Sequence, residues 1–439
     1  MGLKRSTLGW PHIAGLGISL VVAGQFSGWN YGLAAGWGNM VAATGLMALF
    51  CFGLALCVAE LAAARPHAGG LYTYCQEAFG DVTGYVVGIV IFAALAISTG
   101  AAATFIAAYS QNVLGFGGFP LKVLLFLSIA GLHLRGAGEA MRWMVGAGLL
   151  SLLCILIFLA AMAPHFSPLH LTSPHYPIGL TPGGVFSCVP FGIWLFISVE
   201  QTAAASEEVE DPARTIPRGM IAAIGVLLST AMGILLLAAG GGGIGQIAHA
   251  DDPLYAALVS PLAGNGHSHV AMLVGLGGIM GLLATMFSLI YSASRQLYAL
   301  ARDGHLPAFV ARTNDRGAPR ITVPIVAAIG ICTSMAAPER IMLCVVLALT
   351  ASYIVLLAAF IRQRTCEPHR HRPFRAWGGR VTALLCIALA MLVLSACFQA
   401  DTLIVKAFPL FIILALLVRA LTGLRPDAAT GPEESLADV

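Results

Sequence analysis

Stretches of about twenty apolar residues, the length a helix needs to cross a hydrocarbon layer ~30 Å thick, recur along nearly the whole of this 439-residue chain. Such a chain cannot take water as its main solvent, and irregular backbone is tolerable at membrane depth only beside protein or water. Composition agrees: 58% of residues are hydrophobic and 10% are charged, against roughly 25% charged in soluble domains. A soluble enzyme is excluded. Twelve spans are expected, at 11–36, 40–64, 82–113, 121–134, 140–163, 184–205, 218–240, 270–301, 322–337, 339–362, 376–398 and 401–422, the fourth and ninth being short. The first begins at Pro11 behind only Lys4 and Arg5, has no small-residue cleavage site and is followed at once by another span, so it reads as a retained helix rather than a signal peptide.

Where the charge lies matters more than its formal sum of +3. With the N-terminus in the cytoplasm, all but Lys122, Arg340 and Lys406 of the 23 Lys and Arg residues fall inside or at inner helix ends. The positive-inside rule therefore places both termini in the cytoplasm and the chain in the cytoplasmic membrane as a multi-pass protein. The ten cysteines are scattered through mostly apolar segments without C-x-x-C spacing and read as small core residues.

Two spans are interrupted at membrane depth. The first carries Gly24-Gln25-Phe26-Ser27-Gly28-Trp29-Asn30 at its middle, and the sixth carries Ser198-Val199-Glu200-Gln201-Thr202. Both are candidates for broken helices. They stand five spans apart, and a second copy of a unit with an odd number of spans sits inverted, the arrangement in which discontinuous helices meet at the bilayer midplane and bind substrate. Polar residues in a bundle also serve as interhelical hydrogen bonds and close-packing points; the matched positions favour the functional reading.

Three local motifs carry a resemblance. Glu60-Leu61 is followed by Pro66-His67-Ala68-Gly69-Gly70-Leu71-Tyr72-Thr73-Tyr74; Glu207-Glu208-Val209-Glu210-Asp211-Pro212-Ala213-Arg214-Thr215-Ile216-Pro217-Arg218 follows span six; Ser294 to Pro307 closes span eight. In that order and at those spans they resemble the amino acid–polyamine–organocation superfamily of transporters over nearly the whole chain. The resemblance implies an all-α polytopic membrane protein of about twelve helices in a 5+5 inverted-repeat, leucine-transporter-like fold with helices one and six broken. The two five-helix repeats would cover 11–163 and 184–362, followed by two additional helices in 376–422 and a cytoplasmic tail at 423–439. It implies alternating access around a central site, with the loops shaping and gating rather than contacting substrate.

Amino acid carriers of the superfamily hold the substrate carboxylate on backbone N–H groups of a small-residue break in span one, where an unwound helix offers unpaired donors and positive dipole. Here the corresponding stretch is Gly28-Trp29-Asn30, with a large aromatic and a carboxamide in place of small residues. The Gly24 to Gly32 pattern more closely resembles the ethanolamine permease branch, though Gln25 stands where that branch commonly has an acid. The first expectation is therefore a permease for a small ethanolamine-like amine, and the alternative an amino acid permease or exchanger; a non-transporting sensor on the same fold is more distant. The substrate-binding residues expected are Gly24, Gln25, Phe26, Ser27, Gly28, Trp29, Asn30, Trp194, Ser198 and Glu200. By the resemblance Trp194 is an aromatic gate that would attract an ammonium group by about 0.5–2 kcal/mol.

A charge at mid-helix costs ~2.5–3.5 kcal/mol even on lenient insertion scales, so Glu200 demands a partner, water or a proton. It is open whether it is a substrate counterion, a protonation site or a brace. Thr285, Ser288 and Ser292 in span eight are hydroxyls that could help hold sodium, and such hydroxyls also bond back to helix carbonyls. Sodium, proton and exchange modes stay open, with no other cofactor and no metal site expected. His165, His170 and His175 are not spaced as ligands; His369-Arg370-His371-Arg372 reads as inside charge beside anionic lipid. Gly240 to Gly243 lacks the context of a phosphate loop, and no G-x-S-x-G elbow marks a hydrolase. Partners are the small-molecule substrate and membrane lipid, with no nucleic acid; a homodimer is left open.

Overall fold

The computed structural model describes residues 9–64, 71–135, 140–176, 179–209, 211–264, 268–315 and 317–422, without the side chains of 140–145, 204–208, 268 and 422. Lys4, Arg5, the Pro66-to-Gly70 part of the first loop motif, Glu210, the Glu207 and Glu208 side chains and the 423–439 tail lie outside the described residues. The helices are α1 (Trp10–Val21), α2 (Trp37–Ala64), α3 (Leu71–Phe79), α4 (Asp81–Leu114), α5 (Gly118–Arg135), α6 (Ala140–Met162), α7 (Pro182–Trp194), α8 (Pro212–Gly242), α9 (Ile244–Ile247), α10 (Pro253–Leu258), α11 (Ser268–Arg302), α12 (Thr322–Thr333), α13 (Pro338–Cys366), α14 (Arg380–Ala400) and α15 (Thr402–Thr422).

Several helices start where the sequence has the chemistry for it. Asp211 accepts the Arg214 N–H ahead of Pro212 in α8, and the Thr181 hydroxyl accepts the Gly184 N–H at 3.1 Å ahead of Pro182 in α7. Each cap satisfies an orphan donor, and proline fits the first turn because it has no N–H to lose. Among the described residues, ten segments are long and apolar enough to cross a membrane. The two remaining expected spans are present in other forms. Span one is α1 followed by 3-10 segments at Val22–Gln25 and Trp29–Ala35, and span nine is the 12-residue α12, shorter than the expected 322–337.

The packing repeats with the halves exchanged. α1 packs on α8 as α2 packs on α7; α4 packs on α13 as α11 packs on α6; α4 meets α11 and α2 meets α8 across the middle. A two-fold relation between spans one to five and six to ten gives this pattern, and the odd number of spans makes the repeats inverted. The chain thus has the five-plus-five inverted-repeat fold. Close approach depends on small residues: a Cβ at Gly219 of α8 would lie 2.5 Å from Ile13 Cγ2 of α1. α14 leans on α13, α2 and α7, and α15 touches α14 and α4 at the edge with most of its surface exposed.

Candidate functional site

Both interrupted spans break where the sequence puts polar and small residues, and both restart through a left-handed residue. In span one the helix tightens to 3-10 at Val22–Gln25, turns through Phe26 and Ser27, and restarts at Trp29 behind Gly28, whose φ is 100°. In span six α7 ends at Trp194, the chain turns through Leu195 to Ser198, and a 3-10 segment runs Val199–Glu208. Ser198 has φ 81°, the one non-glycine residue with positive φ among the described residues. That conformation costs of order 1–3 kcal/mol for a side-chain-bearing residue, and its backbone is held by Gln201 N–H on Ser198 O at 3.1 Å.

The breaks meet. Trp194 Nε1 donates to Ser27 O at 3.2 Å, and a Cβ added at Gly24 would lie 3.1 Å from Trp194 O. Between them lies a cavity of ≈ 60 Å³, room for a few water-sized groups. Ala23, Gly24 and Ser27 face it from span one and Trp194, Ile197 and Ser198 from span six. Ser98 and Phe105 of α4, Leu282 and Thr285 of α11 and Val345 of α13 close the other sides. The wall is mostly apolar, with backbone and a few hydroxyls as its polar elements.

Of the expected binding residues, Gly24, Ser27, Trp194 and Ser198 line this space, and the others point elsewhere. Gln25 is fully buried and its Nε2 donates to Leu227 O of α8 at 2.9 Å. Phe26 packs edge-on against Tyr109, with ring centroids 6.1 Å apart. Gly28 is pressed against α13, where a Cβ would lie 2.6 Å from Met342 Sδ. Trp29 turns its Nε1 back onto Gln25 O at 2.9 Å. The Asn30 Oδ1 accepts the Gly28 N–H at 3.1 Å, while its Nδ2 donates to Ile247 O at 2.7 Å and Ala250 O at 2.8 Å. Glu200 lies behind the break, 3% exposed, and accepts the Tyr353 hydroxyl of α13 at 2.7 Å and Gln201 Nε2 at 3.1 Å.

Of the span-eight hydroxyls, Thr285 lines the cavity with its Oγ1 3.5 Å from Ser19 O of α1. Ser288 bonds back to Ala284 O at 3.0 Å, and Ser292 is half-buried outside the lining.

Sequence reasoning missed the cover over the first break. The end of α9 and its connection to α10 lie on the second half of span one. Ser27 Oγ donates to Asp251 O at 2.7 Å, the Tyr31 hydroxyl to Asp251 Oδ1 at 2.6 Å, and Asn112 Nδ2 to Asp252 Oδ2 at 2.6 Å. Burial pushes the Asp252 carboxyl above the usual carboxylate range, and the Asn112 hydrogen bond opposes that shift. Asp251-Asp252 ahead of Pro253, an acidic pair in a loop between apolar spans, was the available signal. Tyr353 was also missed, because a tyrosine inside an apolar span carries no mark of the acid it meets.

Comparisons with known proteins agree with the architecture. The family model for amino acid permeases matches residues 8–418. The branched-chain amino acid permease BcaP of Bacillus subtilis is 24% identical over 407 residues, which cover 85% of this chain and 85% of that protein. The methylthioribose transporter of the same bacterium is 26% identical over 290 residues, 61% of each chain. Among solved structures, a manganese transporter of Eremococcus coleocola superposes with a TM-score of 0.63 at 14% identity, covering 96% of this chain and 94% of that one. That last likeness shows the fold alone. These relatives are membrane transporters rather than enzymes, and they do not point to the ethanolamine branch that the Gly24-to-Gly32 pattern resembles. Matched from before its first span to within its last, and built on the broken-helix core described above, the chain belongs to the amino acid permease family.

Proposed function

We propose that this permease carries a small zwitterionic amino acid with an apolar side chain, by alternating access around the cavity between the two breaks. The observation that carries the reading is the direction of Trp29 and Asn30. The sequence argument for an amine was that these two residues fill a carboxylate cradle. Their side chains are engaged with Gln25 O and with the 247–250 backbone, and the cavity is lined by Ala23, Gly24 and Ser27 instead. Gln25, the group offered to an ammonium ion, is turned to α8.

Helix polarity supports a zwitterion. α1 and α7 end at the breaks, so their C-terminal carbonyls give a negative pole suited to an ammonium group. The segments restarting at Trp29 and Val199, next to the cavity-lining Ser27 and Ser198, set a positive pole beside the cavity that suits a carboxylate. An amine without a carboxylate would use half of this. Val21, Phe105, Ile197, Leu282 and Val345 supply apolar wall for a side chain, and the relative named for branched-chain substrates fits that wall.

In a thermal-shift panel on detergent-purified protein, leucine, valine and alanine are expected to raise the melting temperature and ethanolamine is not, since ligand binding to the folded state stabilises it. A shift with ethanolamine alone would reject the reading. For coupling, Thr285 beside Ser19 O is the position to test for sodium and Glu200 the position to test for a proton. Uptake with and without sodium at fixed pH separates them.

A further inference from the structure

A larger free volume lies away from the substrate cavity, at the end of the bundle where α2 and α13 finish and α14 begins. It measures ≈ 410 Å³, and four of its lining residues are Arg364, Arg372, Arg375 and Arg380. We propose that this is a binding site for the phosphate headgroup of an anionic phospholipid whose acyl chains run down the outer face of α14.

Charge is the first argument. Glu60, 1% exposed in the last turns of α2, accepts Arg364 Nε at 2.8 Å and Nη2 at 2.5 Å, pairs with Arg372 Nε at 3.3 Å and accepts the Ala376 N–H at 2.7 Å. Its two oxygens are saturated by these contacts. The nearby Glu367 is taken by Arg370 at 2.7 Å. Arg380 is placed by an Nη2 bond to Arg364 O at 3.1 Å, and no acidic group pairs with it or with Arg375 among the described residues. Four guanidinium groups thus share one opposing carboxylate. Guanidinium forks match phosphate oxygens in geometry.

Helix polarity is the second. α14 opens at Arg380 behind Gly379, with no side-chain cap and no acid in its first turn. A cation at the positive end of a helix is unfavourable by itself and favourable once an anion sits between the helix start and the guanidinium groups. Gly378 and Val381, on either side of that start, form part of the cavity wall.

The surroundings select a lipid as the source of the anion. Val381, which lines the cavity, is 64% exposed, and Leu384, Leu385 and Met391 continue an exposed apolar stripe along α14 at helical spacing. Trp377, 63% exposed and tilted against Phe52 with ring centroids 6.0 Å apart, stands beside the cavity where an interfacial tryptophan belongs. A free phosphate would use the guanidinium groups and leave the stripe and the tryptophan unexplained.

The test is native mass spectrometry and thermal stability of the full chain titrated with phosphatidylglycerol, phosphatidylcholine or inorganic phosphate. It compares wild type with an Arg375→Gln/Arg380→Gln variant, which leaves the Glu60–Arg364–Arg372 cluster intact. Wild type is expected to retain phosphatidylglycerol over phosphatidylcholine and to melt higher with it. The variant should melt as wild type does without lipid and bind phosphatidylglycerol about tenfold or more weakly. Equal retention of both lipids by wild type, undiminished phosphatidylglycerol binding by the variant, or an equal thermal shift with inorganic phosphate would each overturn the proposal. Should the double variant fail to fold, Arg375→Gln alone, at an unpaired position, is read by the same criteria.

Discussion

At Glu200 the carboxylate accepts the Tyr353 hydroxyl at 2.7 Å and stands behind the break, outside the cavity lining. On that geometry we propose that it braces span six against α13. Glu200→Ala is expected to lower stability by about 1.5–3 kcal/mol, the range for a hydrogen bond to a charged group, while Glu200→Gln keeps an acceptor for Tyr353 and should transport with the wild-type pH profile. A profile flattened in the Gln variant would make Glu200 the proton site instead. Gly28 is a sharper case, because its φ of 100° and the 2.6 Å approach to Met342 both exclude a Cβ. Gly28→Ala is expected to cost about 1–3 kcal/mol and to lower the melting temperature; an unchanged melting curve would contradict the close packing of the break on α13. The positions of Gly24, Ser27, Trp194 and Ser198 at the cavity could be anticipated from a polar interruption of an apolar run. The directions of Gln25, Trp29 and Asn30 could not, because neighbouring residues in a 3-10 turn project about 120° apart and only the partners, Leu227 O and the 247–250 backbone, decide which face is inward.

The elements carry a different lesson. Long spans are set by membrane thickness and are readable from apolar length, so α2, α4, α8, α11 and α13 fall close to where the sequence puts them. α3, α9 and α10, of nine, four and six residues, were not, since so short a segment gives periodicity little to work with. In α3 the buried Leu71, Tyr72, Cys75 and Ala78 are one helical face, a signal hidden in a polar loop motif. The break in span six rests on a left-handed serine. Ser198→Gly is expected to fold and transport, because glycine takes φ 81° without strain, and Ser198→Val to lose both; uptake by the two variants in one vesicle preparation checks it. Asn30 pins the cover to the broken helix by side-chain hydrogen bonds to Ile247 O at 2.7 Å and Ala250 O at 2.8 Å. Asn30→Ala should therefore increase hydrogen exchange in residues 247–252, and protection equal to wild type would show that the cover is held by its other bonds.

For the whole molecule, the twelve-span reading, the broken helices and the inverted repeat were legible, the last through motif resemblance rather than hydropathy. Orientation rests on charge placement: a cysteine at Ala213, ahead of α8, is expected to be shielded from membrane-impermeant reagent in intact cells, and labelling from outside would reverse the topology. Substrate class was not legible, because it depends on which side chains turn away from a cavity whose walls come from five separate helices. Two helix ends and two helix starts beside that cavity are proposed to hold both charges of an amino acid. Competition for labelled leucine uptake in proteoliposomes tests this most directly, with leucine, isopentylamine (leucine without its carboxylate) and ethanolamine offered at matched concentrations. Leucine is expected to compete at least about tenfold better than either amine, the discrimination that loss of one charged, hydrogen-bonded group brings. Equal competition by isopentylamine, or stronger competition by ethanolamine, would contradict the zwitterion site.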